Sequence, residues 1–597
     1  MELSARDRTL TLVGIIMAMF LGALDQTIVA TALPRIVEDL QALSRYAWVA
    51  TAYLLASTVL VPIYGKLADM VSRKSIELFS VWTFLLGSVL CGAAGQFGTL
   101  PLLGDGMNQL IAFRALQGIG GAGLFTMAFI IIADLFPARE RGKYQGFVGA
   151  AFGIASVLGP YVGGLLTDHA GGIIPGVAGW RWVFYVNVPF GAVALWFITT
   201  RMPPLLPGGE RGRLDLLSAG LLIVALVPLV LALQLDKARF PWGDPVTLSL
   251  LAGSFAGGAL FVWRSLASSS PVLDLRLFRN RVFTTANLAG FLLGGAFLST
   301  VIFLPLYMVN VLGVSATGAG LSLIPLSLGT AIGAIGSGQL ASRLGRYKPI
   351  MVVSVATFLL AMWLLSTVGV DTPYGLVTFY MLVAGFGVGP GLPLYTLAIQ
   401  NAVAPGAVGQ ATSASQFFRQ IGGAVGAALM GTLLATSLAT SFAALPAAGM
   451  LDAAAFGSEL RQTGGANVGE EIRTATGAQA DIAASAALAG DEPALAAALL
   501  GAGLPSDVRE HALQRAVAAA GDASARTRLA EEVRTLLNER GEAVASETSA
   551  GVRRAFADAI AAIFGALTWV VLAGGLVTVM VPSLELAGRR VPVRSAT

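Results

Sequence analysis

Residues 10–33 read LTLVGIIMAMFLGALDQTIVATAL, an apolar stretch that contains a single ionisable side chain, Asp25. A helix needs about 20 such residues to cross a bilayer, so the stretch predicts a transmembrane helix. It is not typical of a cleavable signal peptide, because it is too long and lacks a clear small-residue cleavage site. A carboxylate at that depth costs about 2.5–3.5 kcal/mol on insertion scales, which indicates a functional role for Asp25.

Similar apolar stretches recur along the chain, which has 597 residues, 55% of them hydrophobic and 12% charged. Soluble domains carry about 25% charged residues, so the composition predicts an all-α polytopic membrane protein. Fourteen spans are predicted, near residues 10–33, 46–65, 76–95, 109–133, 145–166, 182–200, 215–234, 246–264, 283–309, 315–338, 349–368, 374–398, 407–436 and 555–580.

The distribution of basic residues predicts the orientation of these spans. An even number of spans places both termini on one side. The loops on that side carry about 21 Lys and Arg, against about five in the short loops opposite. Lys and Arg accumulate in cytoplasmic loops, so both termini are predicted to be cytoplasmic, in a multi-pass protein of the cell (cytoplasmic or inner) membrane.

A polar, Ala-rich segment at residues 440–553 separates the last two spans and is therefore predicted to be external. Helical patterns occur near Ala494–Leu500, Val508–Ala520 and Ala525–Glu539, between Gly and Pro breakers. We expect short helices over the outer mouth, which extend the thirteenth and fourteenth helices. Either a solvated cap or a surface that docks an envelope partner or gathers substrate fits this pattern.

Arg114 stands just inside the fourth predicted span. Because the first and fourth spans cross in opposite directions, Asp25 and Arg114 are both expected in the outer half of the membrane, where they can pair. A titratable acid beside a fixed cation is typical of a proton-coupled transporter, although a purely structural ion pair gives the same pattern. Gln117 lies three residues from Arg114 on the same helix face and is a candidate for lining the cavity.

One loop phrase occurs twice. Gly65-Lys-Leu-Ala-Asp69-Met-Val-Ser-Arg73-Lys74 follows the second span, and Gly338-Gln-Leu-Ala-Ser342-Arg343-Leu-Gly345-Arg346 follows the tenth. The repetition indicates an internal duplication, a common transporter architecture with the substrate site at the interface of the repeats. Asp69 and Arg73 are expected to brace neighbouring helix ends. Topology-setting charge alone explains the arginines but not Asp69.

Five ordered motifs resemble the major facilitator superfamily, in particular its fourteen-helix drug:proton antiporters (the EmrB/QacA-like group). The motifs are the loop at 65–74, the first-helix phrase 24–34, the basic fourth-helix phrase 114–120, the antiporter phrase Gly159-Pro160-Tyr161-Val162-Gly163-Gly164, and Trp180-Arg181-Trp182 with Asn187-Val188-Pro189. The resemblance implies two six-helix bundles, at 1–200 and at 282–439 with 554–584. It also implies two additional helices within 201–281, beside the external insert 440–553 and a cytoplasmic tail at 585–597.

The resemblance also implies roles for single residues. Asp25 and Arg114 would couple protons to transport. A cytoplasmic gate would contain Gly65, Asp69, Arg73, Asp134 and Arg346, and a hinge would contain Gly159, Pro160, Gly163 and Gly164. The hinge phrase interrupts helix hydrogen bonding and allows close helix approach, which favours a seal against leak. A packing role alone is the alternative for its glycines.

The source of energy is predicted by elimination. Gly118-Ile119-Gly120-Gly121-Ala122-Gly123 matches a dinucleotide fingerprint, but it lies within a span and follows no strand, so that function is rejected. No ATP-binding phosphate loop occurs in the sequence. We therefore expect an ion gradient as the driving force, with no cofactor. One charge moving through 100 mV is worth about 2.3 kcal/mol.

Other site classes are unsupported by the sequence. The chain has one cysteine, Cys91, and two distant histidines, His169 and His511, so no thiol or histidine metal site is predicted. No nucleophile–base constellation points to an enzyme, and no nucleic-acid partner is expected. The expected partners are protons, membrane lipids and a small lipophilic substrate or lipid, with an envelope partner of 440–553 as a further candidate.

The second half of the chain offers weaker site candidates. Residues proposed to line a substrate cavity, besides Gln117, are Tyr307, Asn310, Tyr395, Asn401 and Arg419. Arg419 lies well inside the thirteenth span without an obvious acidic partner, so it is expected to bind backbone carbonyls, reach across the interface, or hold an anionic head group. Asp371 is the only acid between Arg281 and Phe442. That scarcity favours lipophilic monocations, neutral amphiphiles or lipids over divalent cations.

Three functions remain open at this stage. Proton-coupled efflux of lipophilic or amphiphilic compounds by alternating access is favoured. Lipid or glycolipid export on the same scaffold is the first alternative, because the insert 440–553 could shield an acyl chain. The alternative of another class is an envelope interaction scaffold that acts through the same insert.

Overall fold

The computed structural model describes residues 4–42, 45–172, 177–206, 213–235, 237, 239–314, 318, 321–443, 445, 468–501, 506–519 and 521–586. Several predicted segments lie partly outside this set. The residues concerned are 1–3, 43–44 and 173–176 of the first bundle; 207–212, 236 and 238 of the segment with the two additional helices; 315–317 and 319–320 of the tenth span; 444, 446–467, 502–505 and 520 of the insert; and 587–597 of the tail.

The N-terminal half is a helical bundle in which each apolar run of the sequence forms a long helix. Its helices are α1 (Ala5–Asp39), α2 (Tyr46–Ala68), α3 (Arg73–Ala93), α4 (Gly106–Leu135), α5 (Ala138–His169), the short α6 (Trp182–Tyr185) and α7 (Asn187–Arg201). α1 packs on α4, α5 and α7, and α4 also packs on α2 and α3. α4 therefore lies at the centre of this half, and most of its residues are buried.

Two helices, α8 (Leu216–Gln234) and α9 (Pro245–Ala267), follow the first half and pack on each other. α8 also contacts α2 of the first half and a long helix of the second half. On α9 the large apolar side chains of Phe255, Trp263 and Leu266 are exposed. The two helices lie within residues 201–281, where the family resemblance implied two additional helices.

The C-terminal half contains α10 (Arg281–Asn310), α11 (Ile324–Leu344), α12 (Lys348–Leu365), α13 (Tyr374–Val388), α14 (Gly391–Asn401) and α15 (Val408–Ala443). The insert then forms α16 (Val468–Ala489), α17 (Glu492–Gly501) and α18 (Ser506–Ala519), before α19 (Ala523–Met580) returns through the bundle. The first part of α19 belongs to the insert and packs on α16. Its last part packs on α10 and α12.

Thirteen helices of the described chain are long and apolar enough to cross a membrane. The prediction of an all-α polytopic membrane protein is confirmed. The tenth predicted span, 315–338, corresponds to α11, which begins at Ile324, ends at Leu344 and is not among the thirteen. Its small and polar residues, such as Gly333 and Ser337, lower its hydropathy, and they are buried.

The insert is a helical layer with its own small apolar core. Leu495 and Leu499 of α17 pack with Leu529 and Val533 of α19 and with alanines of α16. Surface ion pairs such as Arg534–Asp481, 2.7 Å, join α19 to α16. Helices α17, α18 and α19 match the predicted positions, whereas α16 was not predicted.

The two halves meet along two helix pairs, α5 with α11 and α2 with α15. Small residues make the first contact close: a Cβ added at Gly338 would overlap the carbonyl group of Gly142. We call the end of the bundle that carries Ala5 and Met580 the terminal end, and the opposite end, where α15 runs into the insert, the insert end. The described hydrogen bonds between the halves include a group at the terminal end, detailed below.

Candidate functional site

The predicted acid–base pair forms in the interior of the N-terminal half. Nη1 of Arg114 on α4 donates to Oδ2 of Asp25 on α1 over 2.5 Å. Asp25 is fully buried and Arg114 is 2% exposed. A pair with so little contact with water is strongly coupled, because removing either partner leaves an uncompensated charge in a poorly polarisable interior.

Two further side chains donate to Asp25. Its Oδ1 accepts hydrogen bonds from Nε2 of Gln117, 2.8 Å, and from Nδ2 of Asn187, 3.0 Å. Both amides also donate to Oγ of Ser88, which in turn donates to the carbonyl oxygen of Phe184. Helices α1, α3, α4 and α7 thus contribute one side chain or more to a single polar network. Arg114, Gln117 and Asn187 all donate to the carboxylate of Asp25.

Arg114 has compensating contacts besides Asp25. Its Nη1 donates to Oε1 of Gln117, 2.7 Å, and its Nε donates to the carbonyl oxygen of Val49, 3.4 Å. The guanidinium also lies 4.5 Å from the ring centroid of Tyr53. These contacts remain available to the cation when the carboxylate changes its charge.

Sequence reasoning identified three members of this network, Asp25, Arg114 and Gln117, and missed Asn187, Ser88 and Tyr53 as site residues. Asn187 was present in a quoted motif, but only as an entry into the sixth span. The available signal was an amide at the beginning of an apolar helix, where insertion of an unpaired polar group is costly. Ser88 carried no comparable signal, because serine is common in membrane helices.

The predicted gate residues at the terminal end connect the two halves. Oδ1 and Oδ2 of Asp69, at the end of α2, accept hydrogen bonds from the backbone N–H groups of Gly409, 2.8 Å, and Gln410, 2.9 Å. These groups lie in the first turn of α15, so Asp69 caps a helix that belongs to the other half. Gly65 allows this approach, since a Cβ there would overlap the side chain of Ser413.

Arg73 and Asp134 support this loop from within the N-terminal half. Nε of Arg73 donates to Oδ2 of Asp134, 2.8 Å, and its Nη1 donates to the carbonyl oxygen of Ala68. Arg346 does not join them. It lies in the loop after α11, where it pairs with Glu585 at 3.6 Å, and both side chains are exposed.

Burial raises the pKa of Asp69 to about 7, well above the usual value of an aspartate. The two backbone N–H donors and the nearby Arg73 oppose this effect, while Asp134 adds to it. Desolvation therefore outweighs the hydrogen bonds, and the carboxyl group titrates near neutral pH.

The predicted hinge on α5 packs inside the N-terminal half. A Cβ at Gly159 would overlap Oγ1 of Thr27, and one at Gly163 would overlap Thr31, so both glycines bring α5 onto α1. Gly164 has open space around its α-carbon, and Pro160 is half-buried.

Arg419 and Leu392 line two cavities. One lies within the C-terminal half, and Tyr395 is on its wall. The other lies between the halves, where Phe125, Phe129 and other apolar residues of the N-terminal half face Arg419 and Leu392.

The remaining predicted cavity residues lie elsewhere. Tyr307 is buried and donates its hydroxyl proton to the carbonyl oxygen of Gly369, and Asn310 donates to the carbonyl oxygen of Leu306 near the end of α10. Asn401 donates to the carbonyl oxygen of Glu585 at the terminal end. Gln117 belongs to the Asp25 network. Of the six residues proposed for a cavity, Tyr395 and Arg419 line the two cavities described.

Comparisons with known proteins match this architecture. The sequence profile described as Major Facilitator Superfamily matches residues 15–427. The multidrug transporter protein MdtP of Bacillus subtilis is 38% identical over 416 residues, which cover 70% of this chain and 73% of that protein. The efflux pump aunC of Aspergillus niger is 35% identical over 423 residues, which cover 70% of this chain and 77% of that protein.

Solved structures agree at the level of the fold. The human organic anion transporter MFSD10 superposes with a TM-score of 0.51 at 16% identity, over 71% of this chain and 93% of that chain. The proton:xylose symporter XylE also gives 0.51, at 14% identity, over 71% and 88%. The family resemblance expected from the five motifs is confirmed. The chain is a multi-pass membrane transport protein, not an enzyme, and it belongs to the major facilitator superfamily.

Proposed function

We propose that this chain is a proton-coupled antiporter that exports lipophilic or amphiphilic compounds by alternating access. The named function of its relatives, multidrug transport and efflux, supports the export of such compounds. The buried Asp25–Arg114 pair supports the coupling, because it places a titratable group beside a cation where water has little access. The driving force is the proton gradient, and no cofactor is required.

The proposed cycle follows from the hydrogen bonds of Asp25. In the ionised form, the carboxylate accepts from Arg114, Gln117 and Asn187. Protonation from outside removes its negative charge and weakens each of these bonds. Arg114 then relies on Gln117, the carbonyl oxygen of Val49 and the ring of Tyr53. The pair separates, α1 and α4 shift relative to each other, and the substrate leaves outward.

Alternating access requires a gate at each end of the bundle. In the predicted orientation both termini are cytoplasmic, so the terminal end of the bundle faces the cytoplasm. The contact of Asp69 with the first turn of α15 then closes the cytoplasmic entrance. Return of the proton to the cytoplasm requires this contact to open. The cytoplasmic gate is therefore closed while Asp25 takes up its proton from outside, and open while Asp25 releases it.

The experiment is transport by purified protein in proteoliposomes, with a pH-sensitive dye inside the vesicles and a fluorescent amphiphile as substrate. Asp25→Asn keeps the size of the side chain but removes the titration. We expect the variant to lose substrate-driven proton movement. Asp371→Asn changes an exposed acid in the same way and serves as the matched control. Normal proton movement in Asp25→Asn would contradict the mechanism.

The insert supports a second candidate, export of a lipid. It exposes the large apolar side chains of Ile482, Leu488, Leu500 and Val517 outside the helical bundle, where they could cover an acyl chain. Leu445 packs against Gly551, so a short linker between these positions can replace the insert. Loss of lipid export with unchanged drug export in that deletion would favour the second candidate. Loss of a membrane complex without either effect would favour an interaction scaffold.

A further inference from the structure

We infer that Arg419 is the head-group site for an anionic amphiphile, so that the cargo is a lipophilic carboxylate, sulfonate or phosphate. This inference rests on the proposed function and specifies its substrate class. Arg419 lines both cavities, the one within the C-terminal half and the one between the halves.

The charge of Arg419 has no counter-charge in the described part of the chain. It forms no ion pair there. Its Nη2 donates a hydrogen bond to Oε1 of Gln416, one helical turn away. Asp25 is engaged by Arg114, and Asp371 and Glu585 are exposed acids at the two ends of the molecule. An unpaired cation in a membrane interior is costly, so a ligand that supplies the opposite charge gains binding free energy.

The other polar side chains that line the cavity in the C-terminal half already have hydrogen-bond partners. The hydroxyl of Thr330 donates to the carbonyl oxygen of Leu326. The hydroxyl of Thr578 donates to the carbonyl oxygen of Gly574, so the 2.5 Å contact between Tyr395 and Thr578 uses the proton of Tyr395. Among the described side chains on the walls, Arg419 therefore offers the free donors. A guanidinium presents up to five N–H groups in a planar fork that suits carboxylate and phosphate oxygens.

The walls indicate the rest of the ligand. Phe297 and Leu293 line one cavity, and Phe125, Phe129 and Phe152 line the other. Such walls bind apolar and aromatic groups. An anionic head on Arg419 would have apolar walls on either side, against which an apolar body can pack. A lipophilic cation, by contrast, would face a like charge at the junction.

The test is equilibrium binding to purified protein in an uncharged detergent at constant pH, without any gradient. The probes are a radiolabelled naphthyl-butanoate, its uncharged amide and its quaternary ammonium analogue. Charge-assisted hydrogen bonds contribute about 1.5–3 kcal/mol, so the wild type should bind the carboxylate about ten- to hundredfold more tightly than the amide. Arg419→Gln should reduce this ratio to about one while it keeps the affinity for the amide.

Three controls keep the result decisive. Arg346→Gln makes the same substitution at an exposed site and should retain the full preference. Arg419→Lys keeps the charge and should retain part of the preference for the carboxylate over the amide. It tests the role of the charge even if Arg419→Gln does not fold. The binding assay contains no gradient, whereas the Asp25→Asn transport assay follows proton movement, so a failure of the antiport mechanism and a failure of this inference give different results. An unchanged carboxylate-to-amide ratio in Arg419→Gln, or equal or tighter wild-type binding of the ammonium analogue, would overturn the inference.

Discussion

The two copies of the repeated loop hold the halves together at the terminal end in different ways. In the first copy, the carboxylate of Asp69 accepts from the backbone of Gly409 and Gln410. In the second copy, Ser342 stands at the position of Asp69, and its backbone carbonyl accepts from Nε of Arg139, 3.1 Å. Each loop thus meets the first turn of a helix from the opposite half, α15 in one case and α5 in the other.

The two contacts share a close approach at a glycine but differ in the chemistry that joins the halves. Glycine carries both close approaches: Gly65 packs at Ser413, and Gly338 packs at the carbonyl of Gly142. Only the first contact contains a titratable acceptor, whereas the second uses a neutral carbonyl and a permanently charged arginine. We therefore expect the first contact to respond to pH and the second to be insensitive to it.

The largest expected effect comes from removing the acceptor in each copy. Asp69→Ala leaves two N–H groups of a buried helix end without partners, at about 1–3 kcal/mol each, which should lower the population of the closed state at least about tenfold. Ser342→Ala should leave it unchanged, because its contact uses the backbone. Spin labels at Val71→Cys and Arg346→Cys, in a Cys91→Ala background, measure the distance across this end. Equal shifts in the two variants would contradict the proposed difference between the two contacts.

The next effect is the pH dependence of the closed state. The closed contact holds Asp69 at a pKa of about 7, whereas an aspartate exposed by opening has a value of about 3.9. Between these values the closed state binds more protons, so it gains stability as the pH falls from about 7 to about 4 and loses that gain above 7. The same spin-label distance, followed from pH 4 to 8, should show this trend.

Asp69→Asn provides the matched control for that titration. It keeps one acceptor oxygen and cannot titrate, so the closed population should become independent of pH while remaining larger than in Asp69→Ala. A pH dependence that persists in Asp69→Asn would assign the titration to another group, and Asp134, which pairs with Arg73, would be the first to test.

The sequence predicted the parts of this comparison that follow from local pattern. Apolar runs gave the helices, and the repeated phrase identified both loops. The partners of Asp69 were not predictable, because Gly409 and Gln410 lie 340 positions or more away and contribute only backbone N–H groups. The same limit applies to the Asp25 network, where charge indicated Arg114 but nothing local indicated Ser88.

Glu77 shows another limit of sequence reasoning. It lies one turn into α3, beside the topology-setting Arg73 and Lys74, and no role was predicted for it. The structure buries it completely, and neither carboxyl oxygen has a hydrogen-bond partner among the described residues. A buried carboxyl group without a partner is costly. Burial of this kind depends on how α3 packs on its neighbours, which a pattern of residues along one helix does not specify.

The smallest expected effect tests the second copy through its cation. Arg139 is exposed, and its guanidinium donates to the carbonyl oxygens of Ser342 and Arg343 across the interface. Arg139→Gln should weaken the closed state by about 0.5–1.5 kcal/mol, because a single solvent-exposed set of hydrogen bonds contributes little. The shift in spin-label distance should be the same at pH 5 and pH 8, since neither a carbonyl nor an arginine titrates in that range. A shift as large as that of Asp69→Ala, or one that changes with pH, would show that the two copies act as one coupled gate.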